Sequence, residues 1–299
     1  MAKLMRKEKL KKDRIGIFDI INTLILLLIA ILCIFPFLYI TFIACSDGTY
    51  LTRGLVTFLP KGFNIESFIY VLSNPKFDIF TGLRNSIIYT FLGTIVAIVF
   101  TYMTAYALTR PRLKSRYFIM TLFVITWVLE AGIIPQYIIY SKLGFIDNIW
   151  VMIIPGAINT QFLIITKSFL EGLPKELEEA AFVDGASDFK TMVQVFVPIS
   201  KPIIASTALF NAVTIWNQYL VPQMFLKTAE KKTIQQVLKN VVIGAQENPF
   251  SNAIVNGVTL NQENLKAAAI VVAMLPILFI YPFVQKHFKK GILVGSIKG

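Results

Sequence analysis

The chain has 299 residues and is 56% hydrophobic but only 15% charged, where a soluble globular protein carries about 25% charged residues. With a mean hydropathy of +0.66, this composition is that of an all-α polytopic membrane protein. A net charge of +12 does not point to nucleic acid, because the basic residues gather beside apolar segments, where they orient membrane helices.

Residues 1–16 form a basic tail with seven Lys and Arg between Lys3 and Arg14. Ile17–Ala44 follows as a largely apolar run of 28 residues with Asp19 as the only charge. At 1.5 Å per residue this reaches roughly 42 Å, enough for a tilted crossing. It is far longer than the apolar core of a secretory signal, so a retained first helix is expected. Cys33 and Cys45 lie in or at the end of this segment and form neither a disulfide framework nor a metal-ligand spacing. After an external loop, 45–81, further spans are predicted at Leu83–Leu108, Tyr117–Tyr140, Ile149–Phe169, Ile199–Leu226 and Lys266–Val284.

Six spans put both termini on one side. On that side fall 19 of the Lys and Arg, against 10 opposite, so the positive-inside rule places the termini in the cytoplasm. The second span carries Gly93, Ala97, Thr101 and Ala105, a stripe of small residues that lets helices approach closely. Prolines at 36, 135, 155, 222 and 276 each remove a backbone donor inside a span.

Between the fourth and fifth spans, residues 171–199 hold six acidic residues in a short polar loop. Two short helices around a tight turn are expected. Pro174 suits a first helical position, and Glu176, Glu178 and Glu179 complement the positive helix start. Leu177, Ala180 and Ala181 share one face. Gly185 ends the helix in the left-handed conformation, and Ser187 caps a second helix that stops before Pro198. Helices this short need external support. That support is either the chain's own bundle or a groove on a partner whose movement they transmit.

The spacing within this loop is Glu179-Ala180-Ala181, three residues, Gly185, nine residues, Val195-Phe196-Val197-Pro198. It resembles the EAA loop of type-1 ABC importer permeases, with valine at both aliphatic positions. Arg84-Asn85-Ser86, Trp216-Asn217 and the Gln285–Gly299 ending extend the resemblance to the maltose-type carbohydrate branch, over a core of residues 82–284. Phe35-Pro36-Phe37, Leu59–Phe63 and Asp184–Asp188 resemble its LplC-like oligosaccharide and polysaccharide permeases.

This resemblance implies a permease subunit that pairs with a second permease in the lipid bilayer. A dimer of cytoplasmic ABC ATPases and an extracellular solute-binding protein complete the assembly, and the cargo is a carbohydrate. ATPase coupling is carried over to Glu178, Glu179, Ala180, Ala181, Asp184, Gly185 and Pro198. No glycine-rich P-loop occurs, so the chain has no Walker-type ATP site of its own; the resemblance implies that ATP and Mg²⁺ belong to the partner and that the chain has no cofactor and no catalytic residues. The loop 227–265, rich in Asn and Gln, corresponds to the family's external loop for the binding protein. The 285–299 tail corresponds to the one that contacts the ATPases.

Polar groups inside spans are costly and should face the pathway or another helix. The candidates are Asn85, Glu130, Gln136, Asn159, Gln161, Asn211, Trp216, Asn217, Gln218 and Tyr219. Rival readings are an ABC permease for amino acids or peptides, a secondary transporter, and a membrane enzyme. The single histidine, His287, leaves little for a His-based triad or zinc site.

Overall fold

The computed structural model describes residues 16–75, 77–247 and 253–295. The basic N-terminal tail, Asn248, Asn252 and the last four residues lie outside the described residues. The chain is helical almost throughout. α1 (Ile17–Ala44) is followed by two short helices, α2 (Gly48–Thr52) and α3 (Glu66–Ser73), and then by the 31-residue α4 (Ile79–Thr109). α5 (Arg116–Val128) and α6 (Ile133–Lys142) come next, then α7 (Thr160–Glu171). The polar loop contributes α8 (Glu176–Val183), α9 (Asp188–Thr191) and α10 (Val197–Ile199). α11 (Lys201–Asn217), α12 (Leu220–Phe225), α13 (Ile234–Glu247) and α14 (Gln262–Gly295) complete the helices. An antiparallel hairpin, β1 (Ala253–Val255) with β2 (Val258–Leu260), pairs Ala253 with Leu260 between α13 and α14.

α4 is the axis of the bundle because its small residues form a continuous groove. Gly93, Ala97, Thr101 and Ala105 are all buried, as the fourfold spacing predicts, and α11 and α7 pack along α4. A Cβ on Gly93 would lie 2.8 Å from Ile215 Cδ1, and one on Gly82 would lie 3.1 Å from Ile234 Cα. At Gly82 the neighbour is backbone and close approach sets the glycine, whereas at Gly93 it is the movable end of the Ile215 side chain. α1 packs with its C-terminal part on α14, while its face from Ile17 to Leu38 is exposed.

The expected spans differ from the helices in four places, one being Ile199–Leu226, which is interrupted at Gln218 and Tyr219 between α11 and α12. Tyr117–Tyr140 is broken: α5 and α6 meet at a 117° bend, where Gly132 takes a left-handed φ of 79°. Ile149–Phe169 is not one helix, because Pro155 and Gly156 separate a single turn at Ile149–Met152 from the 12-residue α7. The last helix runs past Val284 to Gly295. Among the described residues three helices are long and apolar enough to cross a membrane alone, and two bent pairs also qualify if each is one span. A short break such as that at Gly132 or at Pro155-Gly156 leaves the apolar run intact, while Pro36 stays inside α1, so hydropathy overstates continuity.

Candidate functional site: the hairpin at 172–200

The polar loop folds as expected at its turn and differently at its ends. Pro174 precedes the Lys175 cap instead of opening the helix. Three acidic side chains, Glu176, Glu178 and Glu179, occupy the first turn of α8. The helix closes in a Schellman arrangement: Gly185 donates its N–H to Phe182 O at 3.0 Å and Ala186 to Ala181 O at 2.9 Å. Gly185 has φ 74° and no atom near a hypothetical Cβ. Its conformation alone requires glycine, and the surrounding surface is open. Ser187 Oγ accepts from Lys190 N at 3.4 Å, the expected cap.

The second helix does not stop before Pro198. It widens over Met192–Phe196, where Val197 donates to Met192 five residues back, and continues through Pro198 to Ile199. A wider turn changes which carbonyls need donors, so the missing proline N–H is accommodated.

The hairpin rests on the C-terminal end of α4. Arg110, whose side chain is 11% exposed, forms an ion pair with Glu178. Its guanidinium also lies 4.3 Å from the centroid of the Tyr106 ring and 4.9 Å from that of Phe196. Arg112 covers the Phe182 ring at 4.2 Å and pairs with Asp188 at 3.3 Å. A cleft of about 470 Å³ between the 109–116 turn and the hairpin is lined by Arg110, Arg116, Lys175, Glu178, Glu179 and Phe182 among others. Leu177 is half-buried and Ala181 buried against the bundle, while Ala180 turns outward with Glu179, Asp184 and Gly185. Val183, 87% exposed at the tip, adds an apolar spot to this acidic outer face. Pro198 is exposed as well. The arrangement is a rigid knob with a polar, partly apolar outer surface.

Arg110, Arg112 and Phe182 were legible only as charges and filler. Their signal was that the basic 110–116 turn and the acidic loop fall on the same side by charge counting. The structure brings the two together.

The pathway candidates separate into groups. Asn85 is buried, and its Nδ2 donates to Glu230 O at 2.7 Å and Lys232 O at 3.0 Å. Asn211 donates to Thr207 O of its own helix at 2.9 Å. Asn159 caps α7 by accepting from Gln161 N and Phe162 N, and Gln136 donates to Tyr140 Oη at 3.1 Å. Glu130, Gln161 and Asn217 are exposed. Glu130 sits in the α5–α6 break, Asn217 ends α11, and Gln218 and Tyr219 sit in the α11–α12 break. Trp216 Nε1 and Tyr219 Oη are buried without a hydrogen-bond partner among the described residues.

The 227–265 region is more structured than a solvated loop, holding α13 and the β-hairpin. Two amides of this loop, Gln236 and Asn261, which the resemblance offered for docking to the binding protein, are engaged within the chain. Gln236 Nε2 donates to Pro222 O and Leu226 O while its Oε1 accepts from Thr233 N. Asn261 and Asn264 cap α14 reciprocally.

Residues 115–294 match the family model described as "Binding-protein-dependent transport system inner membrane component". The chain belongs to this family. It is 37% identical to Protein LplC of Bacillus subtilis (strain 168) over the full length of both chains. It is 35% identical to the polygalacturonan/rhamnogalacturonan transport system permease protein YtcP of the same organism, over 95% of this chain and 99% of that one. A solved structure of a bacterial ABC transporter involved in import of the acidic polysaccharide alginate contains a chain with TM-score 0.83 and 31% identity. That match covers 91% of this chain and 96% of the other. This binding-protein-dependent permease is therefore a membrane transport subunit of ABC type, a non-enzymatic component whose ATPase is a separate protein.

Proposed function

We propose that this permease is the pathway subunit of an ATP-driven importer of oligosaccharide or polysaccharide fragments. Its relatives' names, which include polygalacturonan/rhamnogalacturonan and trehalose/maltose systems, support a carbohydrate cargo. It crosses the cell membrane six times with both termini in the cytoplasm, α7 with the 149–159 segment making the fourth crossing. A second permease completes the pathway, a binding protein delivers cargo from outside, and ATP with Mg²⁺ is bound by the ATPase pair. Trp216 and Tyr219, with unpartnered polar atoms beside a helix break, are the best-supported pathway residues; Asn217, at the same break, and Glu130 can add hydrogen-bonding groups.

One observation carries the coupling assignment: the hairpin presents Glu179, Ala180, Asp184 and Gly185 outward while Arg110 ties its other face to α4. Closure of the ATPase pair moves the hairpin, and α4 moves with it because Arg110 grips Glu178, Tyr106 and Phe196 together. ATP binding can shift the bundle only by favouring one arrangement of this joint.

Gly185→Val and Glu179→Lys test the assignment. A β-branched residue in the left-handed conformation costs about 1–2 kcal/mol, too little to prevent membrane insertion. Both variants are expected at normal levels in the membrane, with uptake reduced at least tenfold and ATP hydrolysis persisting. Normal uptake at normal protein level would sink it.

A further inference from the structure

We propose that the segment Leu55–Phe63 is a re-entrant hook whose apolar tip is inserted among the acyl chains of the bilayer leaflet at the C-terminal end of α1. The occupant of this exposed apolar surface is lipid, and the inference rests on the reading that α1 crosses the membrane.

Depth comes from the ring contacts. The Phe58 ring lies 5.6 Å from that of Phe35. Phe35 lies ten residues before Cys45, about 15 Å down the helix from its end. Three residues after Phe58, Lys61 is fixed at the helix end: its N–H donates to Ser46 Oγ at 3.1 Å and its carbonyl accepts from Asp47 N at 3.0 Å. Three residues span at most about 10 Å. The chain must therefore run back down the side of α1 for the two rings to meet.

The turn that allows this return is tightly built. Gly62 has φ 63°, and a Cβ there would lie 2.9 Å from Asp47 Cβ and 3.0 Å from the Tyr50 ring. Val56, 4% exposed, pins the other limb of the hook to the protein.

The surface has the pattern of a membrane-interface element. Phe58, Leu59 and Phe63 are each at least 70% exposed, and Phe58 lies against Phe35 on α1, no residue of whose most apolar stretch is buried. Arg53 and Lys61, both exposed, flank the tip at the level where lipid phosphates would lie. Apolar tip and basic shoulders match acyl chains and headgroups in that order. An aqueous location would leave three large side chains in water on a short loop.

The test is site-directed spin labelling of the complete reconstituted transporter, with Cys33 and Cys45 replaced by alanine. Labels on Phe58→Cys and, independently, Leu59→Cys are expected to collide several-fold more often with oxygen than with a water-soluble nickel chelate. A label on Arg53→Cys is expected to show the reverse preference. Chelate access at the tip overturns the proposal, because the tip is then in water. Low access to both reagents also overturns it, because protein such as the partner permease then covers the tip. Labels on Leu26→Cys and Leu28→Cys, on opposite flanks of α1, separate the failures. If these are chelate-accessible the spanning reading of α1 is wrong, whereas if they are oxygen-accessible only the hook is wrong.

Discussion

α4 carries an appendage at each end, and the two attachments use opposite chemistry. Near its start, neutral side chains reach the backbone of the 229–237 segment. Asn85 donates to two carbonyls, Tyr89 Oη donates to Lys231 O at 3.1 Å, and Ser86 Oγ accepts from Ile234 N at 2.9 Å. Near its end, Arg110 holds the hairpin through charge and ring faces. Buried hydrogen bonds to carbonyls demand fixed angles and distances. An ion pair keeps much of its energy through small displacements, because the Coulomb attraction varies slowly with distance. The first attachment suits a fixed frame; the second suits a joint that must move under load.

The strongest way to break this comparison is at the fixed end. Gln236→Leu leaves Leu226 O and Thr233 N–H buried without their partner, while Pro222 O keeps the Leu226 N–H at 2.8 Å. Each orphaned group costs about 1–3 kcal/mol, so a loss of about 2 kcal/mol or more is expected. Thermal unfolding in nanodiscs should report it, with faster hydrogen exchange over residues 222–237. An unchanged transition would mean that this end is not a rigid frame.

At the joint, Arg110→Met keeps the packing of the side chain but leaves Glu178, 21% exposed, without its cation. About 1–3 kcal/mol is expected for breaking this partly buried charged pair. The loss should be confined to the hairpin, read as faster exchange over 176–196. Arg110→Lys restores charge without a planar guanidinium and should recover part of the protection. Exchange spreading equally to residues 222–237 would remove the distinction between frame and joint.

A further link at the fixed end is charged, and pH separates it from the neutral ones. Asp147, at φ 49°, accepts from Thr228 and from Lys231 Nζ, and from the backbone of Thr228 and Lys227. These donors hold its carboxyl well below the usual carboxylate range. A depressed folded pKa gives stability that is present above the unfolded pKa, near 3.8, and is lost as pH falls through the folded value. Acid exposure below about pH 4 should therefore release the 227–232 segment. Asp147→Asn should flatten that acid dependence while leaving the Gln236 and Asn85 links intact. Identical acid profiles for variant and parent would refute it.

Sequence made these two ends unequally legible. The hairpin was readable residue by residue, because Gly185, Ser187 and the acidic first turn are local devices with local partners. The small-residue groove of α4 was readable for the same reason, since one helix face repeats every fourth residue. Gln236 and Asn264 were not: an amide suits a surface loop or a buried cap equally, and only long-range contacts decide. Asn264 Nδ2 donates to Ile43 O and Ser46 O, more than 200 residues away in the chain. Arg110 was counted as an orienting charge, and nothing local revealed the rings that would sandwich it.

The smallest effect concerns Arg112, which contributes a second, exposed contact at the joint. It pairs with Asp188 at 3.3 Å, with side chains 65% and 51% exposed. Exposed ion pairs are worth about 0.2–1 kcal/mol and weaken with salt. A double-mutant cycle on Arg112→Gln and Asp188→Asn should give a coupling within that range, disappearing near 1 M salt. The Arg112 stack on Phe182 at 4.2 Å should survive the salt, because close contact of a guanidinium with a ring depends less on screening than separated charges do. If moderate salt releases the hairpin entirely, Arg110 is not the grip, and the joint is held by surface charge alone. If salt removes only the Arg112–Asp188 coupling, the hairpin is held by one partly buried arginine that remains engaged while its outer face is free to dock.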